Sequence, residues 1–457
     1  MTRLRARPLI FLLLLAILWP RAGSAAAPLS EQVTAKTLAN GLEMILLPDH
    51  KAPVGVVQVW YRVGSRNETP GRTGLSHMLE HMMFKGTERF ASGEYSKIIA
   101  RQGGSENAFT SDDATTYFAK LAADRLDVEL EQEADRMRGL VLSAEEFEPE
   151  RKVVAEERRM RVEDDPISYL FEALNAVVFT THPYRHPTIG WEGDIESWTL
   201  ADLKQHYDLY YQPGNAVVIV AGDFEPDEMA QRIEANFGSI PAGPRPPQMM
   251  VREEAPRGPK RIEVTRPARL PFVVLMHPTP NLHHGDNAAL EVLEVILATG
   301  KSSRLHEALV LEDQVALGAG AHYARTAVDD RTFSLSAQAQ PGRSAAEVES
   351  ALLAQIRKIQ EAPPGDEELA RAKRQIESGF IFSQDSIFYR AMLLGTYEMA
   401  GGWEQIDEYL PAVAAVKPED IQRVARTWLT ADRRTTGILH PEKTAPSPTG
   451  ADKAGAK

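Results

Sequence analysis

The chain has 457 residues, 43% hydrophobic and 25% charged, with a formal net charge of −13 and no cysteine. That length exceeds one ordinary core and calls for two or more domains of roughly 100–200 residues each. The acidic balance excludes a general nucleic-acid binder, which needs a basic face for phosphate. The lack of cysteine excludes disulfides and thiolate metal sites, so any bound metal falls to His, Asp or Glu.

The N-terminus carries Arg3, Arg5 and Arg7, then an apolar run over 9–19, then a small-residue stretch over 22–27. This succession of positive, apolar and cleavage regions predicts a secretory signal over residues 1–27, cut after Ala25 or Ala27. The apolar run is shorter than the about 20 residues a spanning helix needs, so no stable membrane anchor is expected. The mature chain is expected to be periplasmic or secreted.

The runs 33–38 and 42–47 flank Asn40-Gly41, a strong hairpin signal. A strand follows over 54–63, then helical spacing over 74–84 and a short helix over 95–102. Residues 107–121 read as a strand or hairpin turning at Ser111-Asp112-Asp113, and 123–141 and 144–162 read as charged amphipathic helices. Pro241, Pro244, Pro246, Pro247, Pro256 and Pro259 mark a linker over 241–260. Beyond it come strands over 261–264 and 272–277, helices over 287–297 and 302–311, strands over 316–323 and 332–338, and helices over 345–361 and 366–384. The small, polar residues 442–457 predict a disordered tail.

The two halves end alike. Asp202 stands eight residues before Tyr210 and Asp420 eight before Trp428, each in a capped helix leading into a strand, at 216–220 and 435–439. This predicts a duplicated domain.

The chemistry concentrates in His77-Met78-Leu79-Glu80-His81. On a helix, two histidines four apart project from one face and can reach one metal, with Glu80 on the same rim as a base that is not a ligand. A catalytic zinc takes three protein ligands and keeps a fourth position open. The third ligand must be His, Asp or Glu, and the helix over 144–162 offers Glu150, Glu156 and Glu157. Composition and spacing leave the choice among them open.

The stretches HMLEHMMFKGT (77–87), GGSENAFTSDDATTY (103–117) and ERKVVAEERRMRVEDDP (150–166) resemble the signatures of the pitrilysin family, inverted zincins that include insulin-degrading enzyme and mitochondrial processing peptidase. HPYRHPTIG (182–190), YYQPGNAVVIVAGDF (210–224) and GKSSRLHEALV (300–310) extend the likeness over nearly the whole mature chain. The resemblance implies an α+β fold of two homologous α/β-sandwich domains, mostly antiparallel sheet packed with helices, closing as a clamshell with a second chain. The expected boundaries are 28–240 for a zinc-binding peptidase domain and 261–441 for a homologous inactive domain. It implies one zinc per chain, held by His77, His81 and Glu157. The last lies seven residues past Glu150, with 75 residues between it and His81. It gives Glu80 the role of catalytic base and Glu150 that of a carboxylate assisting proton movement. It implies that the edge strand with Asn107, Ala108 and Phe109 pairs with substrate backbone and that Phe84 lines a pocket beside the cleavage point.

In one respect the chain departs from the family. Many active relatives supply an Arg and a Tyr, seven apart, from the C-terminal half after the SSRL stretch. The corresponding positions hold Val310 and Leu317, which donate no hydrogen bond, and Arg390 and Tyr397 share the spacing but lie in another segment. The expectation is therefore an exported endopeptidase acting on extended peptides, its partner a homologous subunit that supplies the missing Arg and Tyr. A homodimer is the other possible assembly, and a non-catalytic peptide-binding subunit that keeps the metal site is the alternative function.

Overall fold

The computed structural model describes residues 28–442; the expected signal over 1–27 and the tail beyond Glu442 lie outside the described residues. The first half builds a six-stranded sheet from β1 (Thr34–Thr37), β2 (Glu43–Pro48), β3 (Val54–Tyr61), β4 (Ser105–Thr110), β5 (Thr115–Ala122) and β6 (Ala216–Gly222). Their order is β1-β2-β6-β3-β5-β4, and only β2 and β6 run parallel. The second half builds a five-stranded sheet from β7 (Lys260–Arg266), β8 (Phe272–Thr279), β9 (Ala316–Tyr323), β10 (Arg331–Ala339) and β11 (Thr435–Pro441). Its order is β7-β11-β8-β10-β9, again with one parallel pair, β7 and β11.

Apart from β1, the sheets share one topology. The last strand of each inserts between the first and second, and the third lies at the edge. The helices correspond too: helices Leu200–Tyr210 and Pro418–Trp428 lead into the inserted strands. The duplication predicted from those two stretches is present throughout. Between the halves, residues 241–259 form no helix or strand, and Glu253 there accepts the backbone N–H groups of Thr180, Thr181 and His182 at 2.7–2.9 Å.

Strand β6 is buried along its whole length, which its unbroken apolar sequence requires: both faces of the sheet are covered. One face packs on the first half's own helices. The other is covered by Leu394 and Tyr397 of helix Ile387–Ala400, which belongs to the second half. The reverse also holds, for helix Pro166–Val178 of the first half lays Leu170 and Leu174 on Val274, Met276 and Leu439 of the second sheet. A glycine permits close approach at each crossing. A Cβ on Gly395 would stand 2.2 Å from the Trp60 ring, and one on Gly437 would stand 2.5 Å from Leu174. The halves are thus interlocked, each lending a helix to the other's sheet.

Candidate metal centre

Helix Leu75–Met82 carries two faces. Leu75, Met78, Leu79 and Met82, at the i, i+3, i+4, i+7 spacing, are buried in the core. Full burial of each such side chain contributes about 1.5–3 kcal/mol, which anchors the helix on the sheet. His77, Glu80 and His81 occupy the opposite face. The helix start is tied from outside, because its first residues follow Gly74, which has no side chain to cap with. Glu68 replaces a cap: its carboxylate accepts the N–H of Gly74 and of Ser76, each at 2.6 Å. Gly74 itself is required, with φ 88° and room for no Cβ beside Ile189 O. Ser76 Oγ also meets His206 Nε2 at 3.1 Å.

Helix Ala144–Arg158 packs against this helix. Ser143 caps it, and it runs into a π-helical turn, Arg159–Glu163, directly after the residues that face the histidines. Buried Arg158 anchors that end by bonding both Glu172 oxygens at 2.8 Å and Gly190 O at 2.7 Å. Glu157 then points at both histidines: His77 Nε2 lies 3.6 Å from its Oε1 and His81 Nε2 lies 3.3 Å from its Oε2. Its competitor Glu156 is exposed and pairs with Arg159 instead.

One ligand atom from each of His77, His81 and Glu157 falls within 4.8 Å of the others. Tetrahedral zinc with bonds of about 2.1 Å separates its ligand atoms by roughly 3.4 Å, close to the 3.6 and 3.3 Å between the imidazoles and Glu157, so the spacing of this donor set fits that ion. Two imidazoles and a carboxylate are also the ligand types that suit zinc.

The surroundings treat the two histidines differently. Burial, then the charge of His81, pushes His77 down to about 4. Burial opposes the charge on His81 as well, but the Glu150 and Glu157 carboxylates outweigh it and raise His81 to about 9. Glu150 Oε1 meets His81 Nδ1 at 2.8 Å, and Lys85 Nζ holds Glu150 Oε2 at 2.5 Å. Burial raises the Glu80 carboxyl above its ordinary range even though Thr110 donates its hydroxyl to Oε2 at 2.5 Å.

Of the other residues singled out from sequence, Asn107, Ala108 and Phe109 lie on β4, which is the sheet's edge and pairs only with β5. Their side chains alternate: Ala108 packs on the core under the metal-site helix, whereas Phe109 stands edge-on to Trp60 at 5.6 Å on the opposite face. Phe84 is partly buried on that same core, edge-on to Tyr95 at 5.5 Å, with the Arg136 guanidinium 5.3 Å from its ring centre. Arg390 bonds Asp49 and Gln32, and Tyr397 accepts from Arg325, so neither serves the metal site. Thr110 ends the edge-strand stretch and touches Glu80, whereas Lys85, Arg161 and Glu68 contact the site with no role read from the sequence. Alternation along β4 puts Thr110 on the side of Ala108, and the i, i+4 rule puts Lys85 on the side of His81; the acceptors they meet come from other elements.

Comparison with known proteins agrees with this geometry. Residues 43–191 match the family model "Insulinase (Peptidase family M16)" and residues 197–376 match "Peptidase M16 inactive domain". A zinc protease of Helicobacter pylori, PqqE, is 35% identical over 412 residues, covering 89% of this chain and 92% of that one. An uncharacterized zinc protease of Bacillus subtilis, YmxG, is 27% identical over 90% of this chain and 99% of that one. Among solved structures, a protease from Helicobacter pylori superposes with TM-score 0.87 at 34% identity, over 90% of this chain and 99% of that one. The periplasmic protease PqqL from Escherichia coli shares the fold, with TM-score 0.77 at 19% identity, over 91% of this chain and 48% of that longer one. The chain belongs to the M16 peptidase family, in its two-domain form.

Proposed function

We propose that this chain is a zinc-dependent endopeptidase, with one zinc held by His77, His81 and Glu157 in the domain of residues 28–240. The observation that supports it best is the meeting of those three donor sets with Glu80 on the same helical face. When bound, zinc would supply Lewis acidity, acidifying a water and polarising the scissile carbonyl. Glu80 takes the proton of the attacking water and passes it to the leaving amine. Burial raises the Glu80 carboxyl above its ordinary range, which favours its taking up that proton. Thr110 occupies Oε2 and leaves Oε1 for that proton. Glu150 fixes the His81 ring through Nδ1.

The open edge of β4, at Asn107, Ala108 and Phe109, takes an extended peptide as an added strand, so that main-chain hydrogen bonds rather than side chains dominate recognition. Thr110 ends this strand and touches Glu80, which brings a peptide on the edge to the metal. Phe84 supports the floor of the site through its packing on Tyr95. The arginine-led apolar N-terminus supports export to the periplasm or beyond. Among the described residues no helix is long and apolar enough to cross a membrane.

The domain of residues 261–441 is the inactive homologue. Val310 is only partly buried, Leu317 is 48% exposed, and neither offers a donor for an oxyanion. Such donors are worth about 2.7–4 kcal/mol, which supports a heterodimer in which a homologous chain closes over the site and supplies Arg and Tyr. The test is metal analysis with cleavage mapping on a peptide library, using the chain alone and the chain co-produced with a tandem-encoded homologue. Chelator-sensitive cleavage that rises with the homologue is expected. Chelator-insensitive cleavage overturns the metal reading, equal activity in both samples overturns the heterodimer, and bound zinc with no cleavage in either sample favours the non-catalytic peptide-binding alternative.

A further inference from the structure

We propose that Lys85 is a positioning residue of the metal centre: its ammonium holds Glu150 in the one orientation that receives the Nδ1–H of His81 and leaves His81 Nε2 facing the metal. The inference rests on the zinc-peptidase reading above and deepens it. Lys85 stands four residues beyond His81, on the turn that closes helix Leu75–Met82, where its own N–H bonds Met82 O at 2.9 Å. That spacing returns the side chain to the face of His81. Glu150 reaches the same place from the facing helix, two turns before Glu157. One helix therefore brackets His81 with two carboxylates, Glu150 at Nδ1 at 2.8 Å and Glu157 at Nε2 at 3.3 Å.

Those carboxylates must not exchange roles. Glu150 is buried, with its side chain 10% exposed, and has two oxygens to satisfy. Oε1 takes the imidazole N–H, and Oε2 takes Lys85 Nζ at 2.5 Å. With Lys85 gone, Oε2 would be an unpaired buried acceptor, and the carboxylate would gain by turning away from Nδ1, toward water or toward the metal. Either turn releases the ring of His81 and its choice of tautomer. His77 has no such device, since its Nδ1 is buried without a hydrogen-bond partner. Of the two rings, only His81 is thus oriented through Nδ1, by the chain Lys85–Glu150–His81.

The experiment measures zinc affinity of the full chain by competition with a chelator of known strength, together with the thermal midpoint of each metal-free variant. Lys85→Met and Glu150→Gln are each expected to weaken zinc binding about 10–100-fold, the range for losing a ligand's hydrogen-bond partner. The double variant should be no weaker than Glu150→Gln alone, and Lys85→Arg should recover most of the affinity. Additive losses in the double variant, or a lowered metal-free midpoint with unchanged affinity, overturn the inference by showing an ordinary ion pair between helices. Lys85→Gln, which keeps the stem and a neutral donor, gives the same discrimination if Lys85→Met does not fold. Absence of zinc binding in the unaltered chain overturns the zinc-peptidase reading itself, a result distinct from any of these.

Discussion

The two halves repeat one scaffold and differ in what fills its centre. In the first, the helix after the second strand is Leu75–Met82 and the helix facing it is Ala144–Arg158, and between them lie His77, His81, Glu150 and Glu157. In the second, the corresponding helices are Asn287–Ala298 and Asp366–Ser383, and they bury Leu290, Leu293, Ile296 and Leu297 with Leu369, Ala372 and Ile376. The same strand order closes around either filling, so the fold needs apolar burial and not the metal. The polar filling is the costly one, because buried imidazoles and carboxylates lose hydration and are stable only when each finds a partner. Function is thus laid over one copy of a scaffold whose other copy shows it without the site.

Four experiments test that contrast, taken from the largest expected effect to the smallest. Glu80→Gln should lower peptide hydrolysis by about 10²–10⁴-fold, the usual share of a general base, with zinc stoichiometry intact; a variant that keeps full activity would sink the assignment of the base. In the second half, Leu293→Ala empties part of a fully buried core and should cost about 2–5 kcal/mol in chemical denaturation while zinc still binds the native protein. Unchanged stability there would show that the second half does not support the first. Zinc at a hundredfold over its dissociation constant should stabilise the chain by about 2.7 kcal/mol through linkage alone. Replacing both histidines, His77→Leu with His81→Leu, should remove that zinc dependence and leave the metal-free chain folded, as the second half's filling implies. A collapse of the fold in this double variant would mean the site supports the scaffold after all.

The smallest effect, counted over a single pH unit, concerns acid and should appear in both halves. Burial pushes His206, under the metal-site helix, and His277, in β8, each down to about 3. In the unfolded chain a histidine takes up its proton near 6.5, so each contributes stability that is present above about pH 6.5 and is lost as pH falls toward 3. The slope is about 1.4 kcal/mol per pH unit for each group. His206→Gln and His277→Gln should each flatten the acid limb of a stability–pH curve; identical limbs for the variants and the parent would show that these rings are not held neutral.

Much of the site was legible because it is local. HMLEH places two imidazoles and a carboxylate on one helical face wherever that helix sits, and the helically spaced apolar positions Leu75, Met78, Leu79 and Met82 ensure that the polar face is the one left open. The hairpin at Asn40-Gly41, the turn at Ser111-Asp112-Asp113 and the strand at 316–323 follow in the same way from short-range pattern, and each is present. The choice between Glu156 and Glu157 was not local. Adjacent residues on a helix point about 100° apart, and only the packing of Ala144–Arg158 on Leu75–Met82 decides which of them meets the histidines.

What the sequence determined by itself, then, is the donor set and the repeat: side chains without thiolate, a carboxylate beside two imidazoles, and two halves of one design. Tertiary structure decided everything that depends on elements far apart in the chain. It brought Thr110 to Glu80, Lys85 to Glu150, and Glu68 to the uncapped start at Gly74. It also exchanged helices Pro166–Val178 and Ile387–Ala400 between the sheets, where local pattern predicts two separate domains and a linker. The physical reason is the same in each case. Periodicity tells which face of an element is buried, but not which distant surface buries it.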